Sequence, residues 1–255
     1  MLNTTRWPFP RVIAHRCGGT TAPENTLVAL RVAAAMGFGG VEFDVKLAKF
    51  GVPMLIHDDT LDRTTDGAGP VAAYDAAELR ALDAGLWFGN EFAGERIPTF
   101  DAATALCHNL GLWANIEIKP DRDNAVETGR IVAGMTARLW HDDSPAPLLS
   151  SFSGAALAAA RSAEPALPLA LLVAEPPSDW IEGTRRLGCR ALHCRQEYVT
   201  EQMVTAAHEA GLGILAYTVN DPQRAFALFG MGIDAIITDE LGLVRPDQLA
   251  PMPGS

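Results

Sequence analysis

The sequence predicts a TIM (β/α)8 barrel with an extra antiparallel strand after strand 2 and a small insertion. Three observations predict it. Apolar strand-like runs alternate with helical patterns along almost all of the 255 residues, and such alternation implies a parallel sheet. Nine runs occur, one more than the barrel needs. The surplus run follows its predecessor after only Lys49, Phe50, Gly51 and Val52, which is too short for a parallel crossover and long enough for a tight antiparallel return. The alternative, an open doubly wound sheet, lacks support because no GxGxxG loop joins a strand to a helix.

In chain order the strand candidates are RVIAHR (11–16), GVEFDVKLA (40–48), PMLIHD (53–58), WANIEIK (113–119), PLLSSF (147–152), LALLVA (169–174), ALHCR (191–195), GILAYTV (213–219) and IDAIITD (233–239). Helix signals separate most of them. ENTLVALRVAAAMG starts after Pro23 and stops at Gly37. Ser153 is placed to cap the helix after the fifth run, and NDPQRAFALFG offers Asn220 or Asp221 as cap with Pro222 near its first turn. Residues 60–98 break the rhythm with turn signals, one short helix and a capping-box spacing at Asp75 and Glu78. The expected organisation is one domain, 1–255, with residues 60–98 inserted over the barrel mouth.

Hydrophobic content of 48% and charged content of 20% are those of a globular protein, and the net charge of −11 disfavours nucleic acid and anionic membrane as partners. No run is long enough to span a bilayer, and no signal-peptide stretch precedes the first strand. A cytoplasmic location without stable membrane insertion is expected, and the PMPGS tail is expected to fray. Cys17, Cys107, Cys189 and Cys194 form no CxxC pair, so core thiols are expected. Cys189, His193 and Cys194 lie close in sequence but lack a second ligand pair for zinc.

Side chains alternate along a strand. In GVEFDVKLA, Glu42, Asp44 and Lys46 share one face and Val41, Phe43 and Val45 the other. WANIEIK repeats the pattern, with Asn115, Glu117 and Lys119 opposite Ile116 and Ile118. With the apolar faces toward the helices, two strands send carboxylates into one cavity. His15 and Arg16 end the first strand, and the hairpin returns His57. Crowded carboxylates raise one another's pKa unless a cation joins them. All-oxygen ligation by Glu42, Asp44 and Glu117 points to one hard divalent ion, Mg2+ or Ca2+. The histidines are then free for proton transfer, while Arg16 and Lys119 suit an anionic ligand. Together these parts describe phosphoryl transfer or phosphodiester cleavage.

HRCGGTTAPENT (15–26), EFD (42–44), HDDTLDRTTDG (57–67), NIEIKP (115–120), LLSSF (148–152), YTVN (217–220) and GIDAIITD (232–239) occur in the order seen in glycerophosphodiester phosphodiesterases. From residue 11 to about 245 the chain resembles this family, most closely its bacterial cytosolic type. The resemblance implies His15 and His57 as acid–base pair, Glu42, Asp44 and Glu117 as metal ligands, and Arg16 and Lys119 as phosphate contacts. It implies small-molecule substrates such as glycerophosphocholine or glycerophosphoethanolamine, cleaved to sn-glycerol 3-phosphate and an alcohol. Two positions depart from the family pattern. Tyr217 stands where tryptophan is usual; the aromatic character survives, and the position is assigned to substrate binding with Trp87 and Phe88 as further specificity candidates. Cys17 replaces a glycine, which implies positive φ at a residue bearing a side chain and a thiol beside the catalytic pair. Lysophospholipids or sugar-phosphate diesters are alternative substrates for the same core, and a non-catalytic phosphodiester-binding barrel is the alternative from another class. Nothing in the sequence fixes an oligomeric state.

Overall fold

A computed structural model describes residues 7–141 and 145–248; the PMPGS tail lies outside the described residues. Strands β1 (Val12–Ala14), β2 (Gly40–Leu47), β4 (Trp113–Ile118), β5 (Leu148–Ser151), β6 (Leu169–Val173), β7 (Ala191–Arg195), β8 (Gly213–Tyr217) and β9 (Ala235–Thr238) pair in parallel, each with its neighbour in the ring. The ring closes where β1 meets β2, with Ala14 opposite Val41. Strand β3 (Pro53–Leu55) lies outside it, antiparallel to β2, with Val45 opposite Leu55. The short return turns through Phe50 at φ 69° and Gly51 at φ 79°. This is the TIM barrel with an added strand.

Alternation divides the strand side chains into two sets. Val41, Phe43 and Val45 of β2, with Ile116 and Ile118 of β4, face outward into the main core. The helices α1 (Leu27–Ala35), α3 (Phe100–Leu110), α4 (Ala125–Leu139), α5 (Gly154–Ala163), α7 (Glu201–Glu209) and α8 (Pro222–Gly230) pack over that layer. Removing each such side chain from water contributes roughly 1.5–3 kcal/mol. Inside the ring, Phe9, Leu148, Ala170 and Ala191 form one apolar cluster and Ile13, Leu215, Ala235 and Ile237 another. Trp7 and Trp113 pack against both, so the barrel is plugged below the site.

The caps act largely as their residues predict. Ser153 accepts the Ala156 N–H at 3.2 Å and Asp221 accepts the Gln223 N–H at 2.9 Å. Asp75 and Glu78 close a reciprocal capping box at α2 (Ala76–Ala81). The first helix begins later than expected, because Thr26 is its cap, leaving Glu24 and Asn25 in the loop. Residues 60–98 carry α2 and contribute Leu61, Val71, Leu79, Ala84 and Ile97 to a small core shared with Met54 and Ile56. α6 (Trp180–Arg186) joins β6 to β7. Among the described residues no helix follows β9; residues 239–248 form turns and bends. No described helix is long and apolar enough to cross a membrane.

Candidate active site

The carboxylates come from neighbouring staves. Because β3 is displaced outside the ring, β2 pairs directly with β4, placing Glu42 opposite Asn115 and Asp44 opposite Glu117. Glu42, Asp44 and Glu117 each offer an oxygen, all within 4.8 Å of one another, and this is the one gathering of potential metal ligands found among the described residues. Burial and the Asp44 charge push Glu42 up to about 8, and the same causes push Glu117 up to about 7. Asp44 is also buried, but Lys119, His57 and Arg16 outweigh that cost and hold it below the usual carboxylate range. Asn25 orients it with two hydrogen bonds, its amide donating to Asp44 Oδ2 at 2.8 Å and its Oδ1 accepting the Asp44 N–H at 3.1 Å. One charged acid therefore lies between two that are driven toward neutrality. Glu42 Oε1 is buried with no hydrogen-bond partner. An orphaned oxygen in an all-oxygen set short of positive charge fits a hard divalent cation.

The two imidazoles are held alike. Nδ1 of His15 lies 2.6 Å from Asp239 Oδ1, and Nδ1 of His57 lies 2.7 Å from Asp58 Oδ1. A carboxylate at Nδ1 fixes that nitrogen as the N–H and leaves Nε2 to work. His15 Nε2 is 3.9 Å from Glu42 Oε2. For His15, burial disfavours charge, but the Asp239 bond and Glu42 outweigh it and raise the pKa. For His57, burial prevails over Asp44, with Arg16 and Lys119 adding to it, and the pKa is lowered. Asn220 braces Asp239, donating to Oδ2 at 3.1 Å and accepting the Asp239 N–H at 2.8 Å.

Arg16 follows His15 in a turn of positive φ. Its N–H donates to Glu42 Oε2 at 2.9 Å, and its Nη1 to Glu24 Oε1 at 2.9 Å, while its buried Nε has no hydrogen-bond partner. Lys119 donates to Glu117 Oε1 at 3.1 Å and lies 3.4 Å from Asp44 Oδ1. Gly19, at φ 54°, brings this turn against the last strand; a Cβ there would lie 2.0 Å from the Asp239 carbonyl oxygen.

His15, Arg16, Glu42, His57, Glu117, Lys119 and Tyr217 line one cavity of about 180 Å3, which Asn115 and Phe152 also border. Asp44 lies beside it, held by Asn25. All eight site residues expected from the sequence thus converge. The contacts refine several expectations. The Tyr217 hydroxyl donates to the Val173 carbonyl at 2.8 Å, so this residue offers its ring to the cavity. Trp87 and Phe88 do not border that cavity but stack edge-to-face on each other, with ring centroids 5.5 Å apart; Phe152 takes the aromatic place beside Tyr217. Lys46 points inward like Glu42 and Asp44 but is neutralised by Asp59 at 2.6 Å and Asp121 at 2.9 Å.

Cys17 has φ 72°, as its place in the turn implies, yet its side chain is wholly buried in the outer core. Burial pushes its pKa well up, which disfavours the thiolate. His193 and Cys194 point to opposite faces of β7 and cannot share a zinc. Sequence reasoning passed over the orienting residues Asp58, Asp239, Asn25 and Asn220. Asp58 was marked only by adjoining His57, and Asn25 by the PENT stretch.

A profile described as the glycerophosphoryl diester phosphodiesterase family matches residues 15–243. The chain is 33% identical over 242 residues to the glycerophosphodiester phosphodiesterase of Caldanaerobacter subterraneus subsp. tengcongensis, covering 92% of this chain and 97% of that one. Among solved structures it is similar to an Oleispira antarctica phosphodiesterase in complex with the product sn-glycerol-3-phosphate, with TM-score 0.85, 36% identity, and coverage of 94% and 95%. A glycerophosphodiester phosphodiesterase from Agrobacterium tumefaciens superposes with TM-score 0.76 at 26% identity, covering 94% of this chain and 99% of the other.

Proposed function

The chain belongs to the glycerophosphoryl diester phosphodiesterase family and is a phosphoric diester hydrolase; from that premise we propose that it cleaves small glycerophosphodiesters, such as glycerophosphocholine or glycerophosphoethanolamine, to sn-glycerol 3-phosphate and an alcohol. The observation that carries the reading is the pair of imidazoles, each held at Nδ1 by its own carboxylate, bordering the cavity that Glu42 and Glu117 also line. A cavity of about 180 Å3 suits a small polar ligand better than a bulky one.

The phosphate is anchored by Arg16, whose Nε makes no hydrogen bond within the protein, and by the Lys119 ammonium. One imidazole removes a proton from the attacking hydroxyl, either water, which gives glycerol 3-phosphate directly, or the neighbouring glycerol hydroxyl, which gives a cyclic phosphate that water then opens. The other delivers a proton to the departing alkoxide. Asp58 and Asp239 keep both rings in the tautomer this exchange needs. Glu42, Asp44 and Glu117 would hold one Mg2+ or Ca2+, which supplies Lewis-acid stabilisation of charge on the phosphate oxygens. The Tyr217 ring and Phe152 wall the cavity on the side of β8 and β5. Residues 60–98 are assigned to the edge of the mouth, where Arg63 reaches Asp58.

The test is release of glycerol 3-phosphate from both named substrates by protein loaded with Mg2+ or Ca2+. Chelation, His15→Ala and His57→Ala are each expected to abolish it. Intact substrates after incubation with metal-loaded protein overturn the reading.

A further inference from the structure

We propose that Arg63, carried by the segment after the hairpin, is a positioning residue that sets the His57 imidazole through Asp58 and the Arg16 guanidinium through Glu24. The proposal rests on the reading that His57 and Arg16 act at the phosphodiester.

The geometry is specific. Arg63 Nε donates to Asp58 Oδ2 at 2.7 Å and its Nη2 to Asp58 Oδ1 at 3.0 Å. The same Nη2 donates to Glu24 Oε1 at 2.8 Å, while Nη1 reaches Glu24 Oε2 at 2.7 Å. Each carboxylate is gripped by two N–H groups. Asp58 Oδ1 is the oxygen that faces His57 Nδ1, and Glu24 Oε1 is the oxygen that accepts from Arg16 Nη1. One nitrogen of Arg63 therefore sits between the two oxygens that orient the two site residues.

Exposed ion pairs contribute little when they are single and mobile. A planar cation holding two carboxylates by paired bonds is a different case, because its geometry is fixed by four contacts at once. Without Arg63, Asp58 and Glu24 become like charges across an empty place, and each is free to turn away from its client. A lysine has one nitrogen and cannot grip both carboxylates in pairs. His15 is untouched by this arrangement, since its partner Asp239 is braced by Asn220 from the loop after β8. The effect is expected to fall on one imidazole and the phosphate contact, not on both imidazoles.

The experiment compares wild type, Arg63→Ala, Arg63→Lys and, as a control in the same segment, Arg96→Gln, whose arginine donates to the Ala81 carbonyl. Misplacement on the order of 1 Å costs about 100-fold, so Arg63→Ala is expected to lower kcat between about 10- and 100-fold and to raise KM. Arg63→Lys is expected to recover little. Added guanidinium should restore part of the Arg63→Ala rate, and Arg96→Gln should match wild type. In parallel, the downfield Nδ1 proton of His57, assigned by its loss in His57→Ala, should be present in wild type and absent or rapidly exchanging in Arg63→Ala, while that of His15 persists. Wild-type kcat and KM in Arg63→Ala, alongside an inactive His57→Ala, overturn the proposal and leave the functional reading standing. A lost rate without guanidinium recovery and with the His57 proton unchanged also overturns it, as a merely structural effect. If the wild type itself proves inactive, the functional reading fails and the proposal with it, even should the proton signals behave as expected.

Discussion

His193 gives the sharpest test of the energetics, because it is buried without a partner. It sits at the centre of β7, flanked in register by Leu172 and Leu215, and neither ring nitrogen has a hydrogen bond. Burial alone pushes its pKa from 6.5 down to about 3. The sign follows from proton counting. As pH falls below 6.5 the unfolded chain takes up a proton on this ring while the folded chain does not, so stability drops with falling pH down to the folded value. Each pH unit in that window costs about 1.4 kcal/mol. The loss is roughly 3 kcal/mol at pH 4.5 and approaches roughly 5 kcal/mol near pH 3. Replacing the ring with His193→Leu or His193→Gln removes this contribution while every other titrating group stays common to the proteins compared. The assay is urea unfolding of wild type and both variants at half-unit steps from pH 7.5 to 4.5, with chelator present throughout. The stability difference between each variant and wild type should move in favour of the variant by roughly 3 kcal/mol across that range. Parallel curves for wild type and both variants refute the reasoning and mean that His193 takes up its proton in the folded state.

Other outcomes are expected at the site and in the core. Glu42→Gln, Asp44→Asn and Glu117→Gln should each abolish the rise in Tm that Mg2+ or Ca2+ produces, measured by differential scanning fluorimetry, and lower metal affinity by at least about 10-fold. Tyr217→Phe removes one hydrogen bond to a backbone carbonyl and should cost about 1 kcal/mol in denaturant unfolding, with kcat/KM changed less than about threefold; Tyr217→Ala, which removes the ring, should raise KM. The four free cysteines are all buried, so a thiol reagent should modify none of them in folded protein and all of them in guanidinium, with activity unaffected by the first treatment.

Much of the architecture was legible because it is periodic or local. Alternation along GVEFDVKLA and WANIEIK separated Glu42, Asp44 and Glu117 from the residues that face the helices, and the brief link between Ala48 and Pro53 identified the hairpin. Caps such as Ser153 and Asp221 act within three residues of themselves, so sequence carries them. What sequence did not carry is contact across the ring. Asp239 meets His15 because β9 lies beside β1, and Asn220 reaches Asp239 from the loop after β8. Cys17 adjoins His15 and Arg16 in sequence, but a φ of 72° turns its thiol outward between barrel and helices. Trp87 and Phe88 looked like substrate contacts by residue type alone, whereas Phe152 earns that place through its position at the end of β5.

The bond between His15 and Asp239 joins residues 224 positions apart. The carboxylate triad is assembled from β2 and β4, so it gathers as soon as those two staves have paired. The first imidazole gains its alignment only when the final stave docks against the first. On the proposed roles, turnover depends on completed ring closure, whereas the acidic cluster depends on β2 and β4 alone.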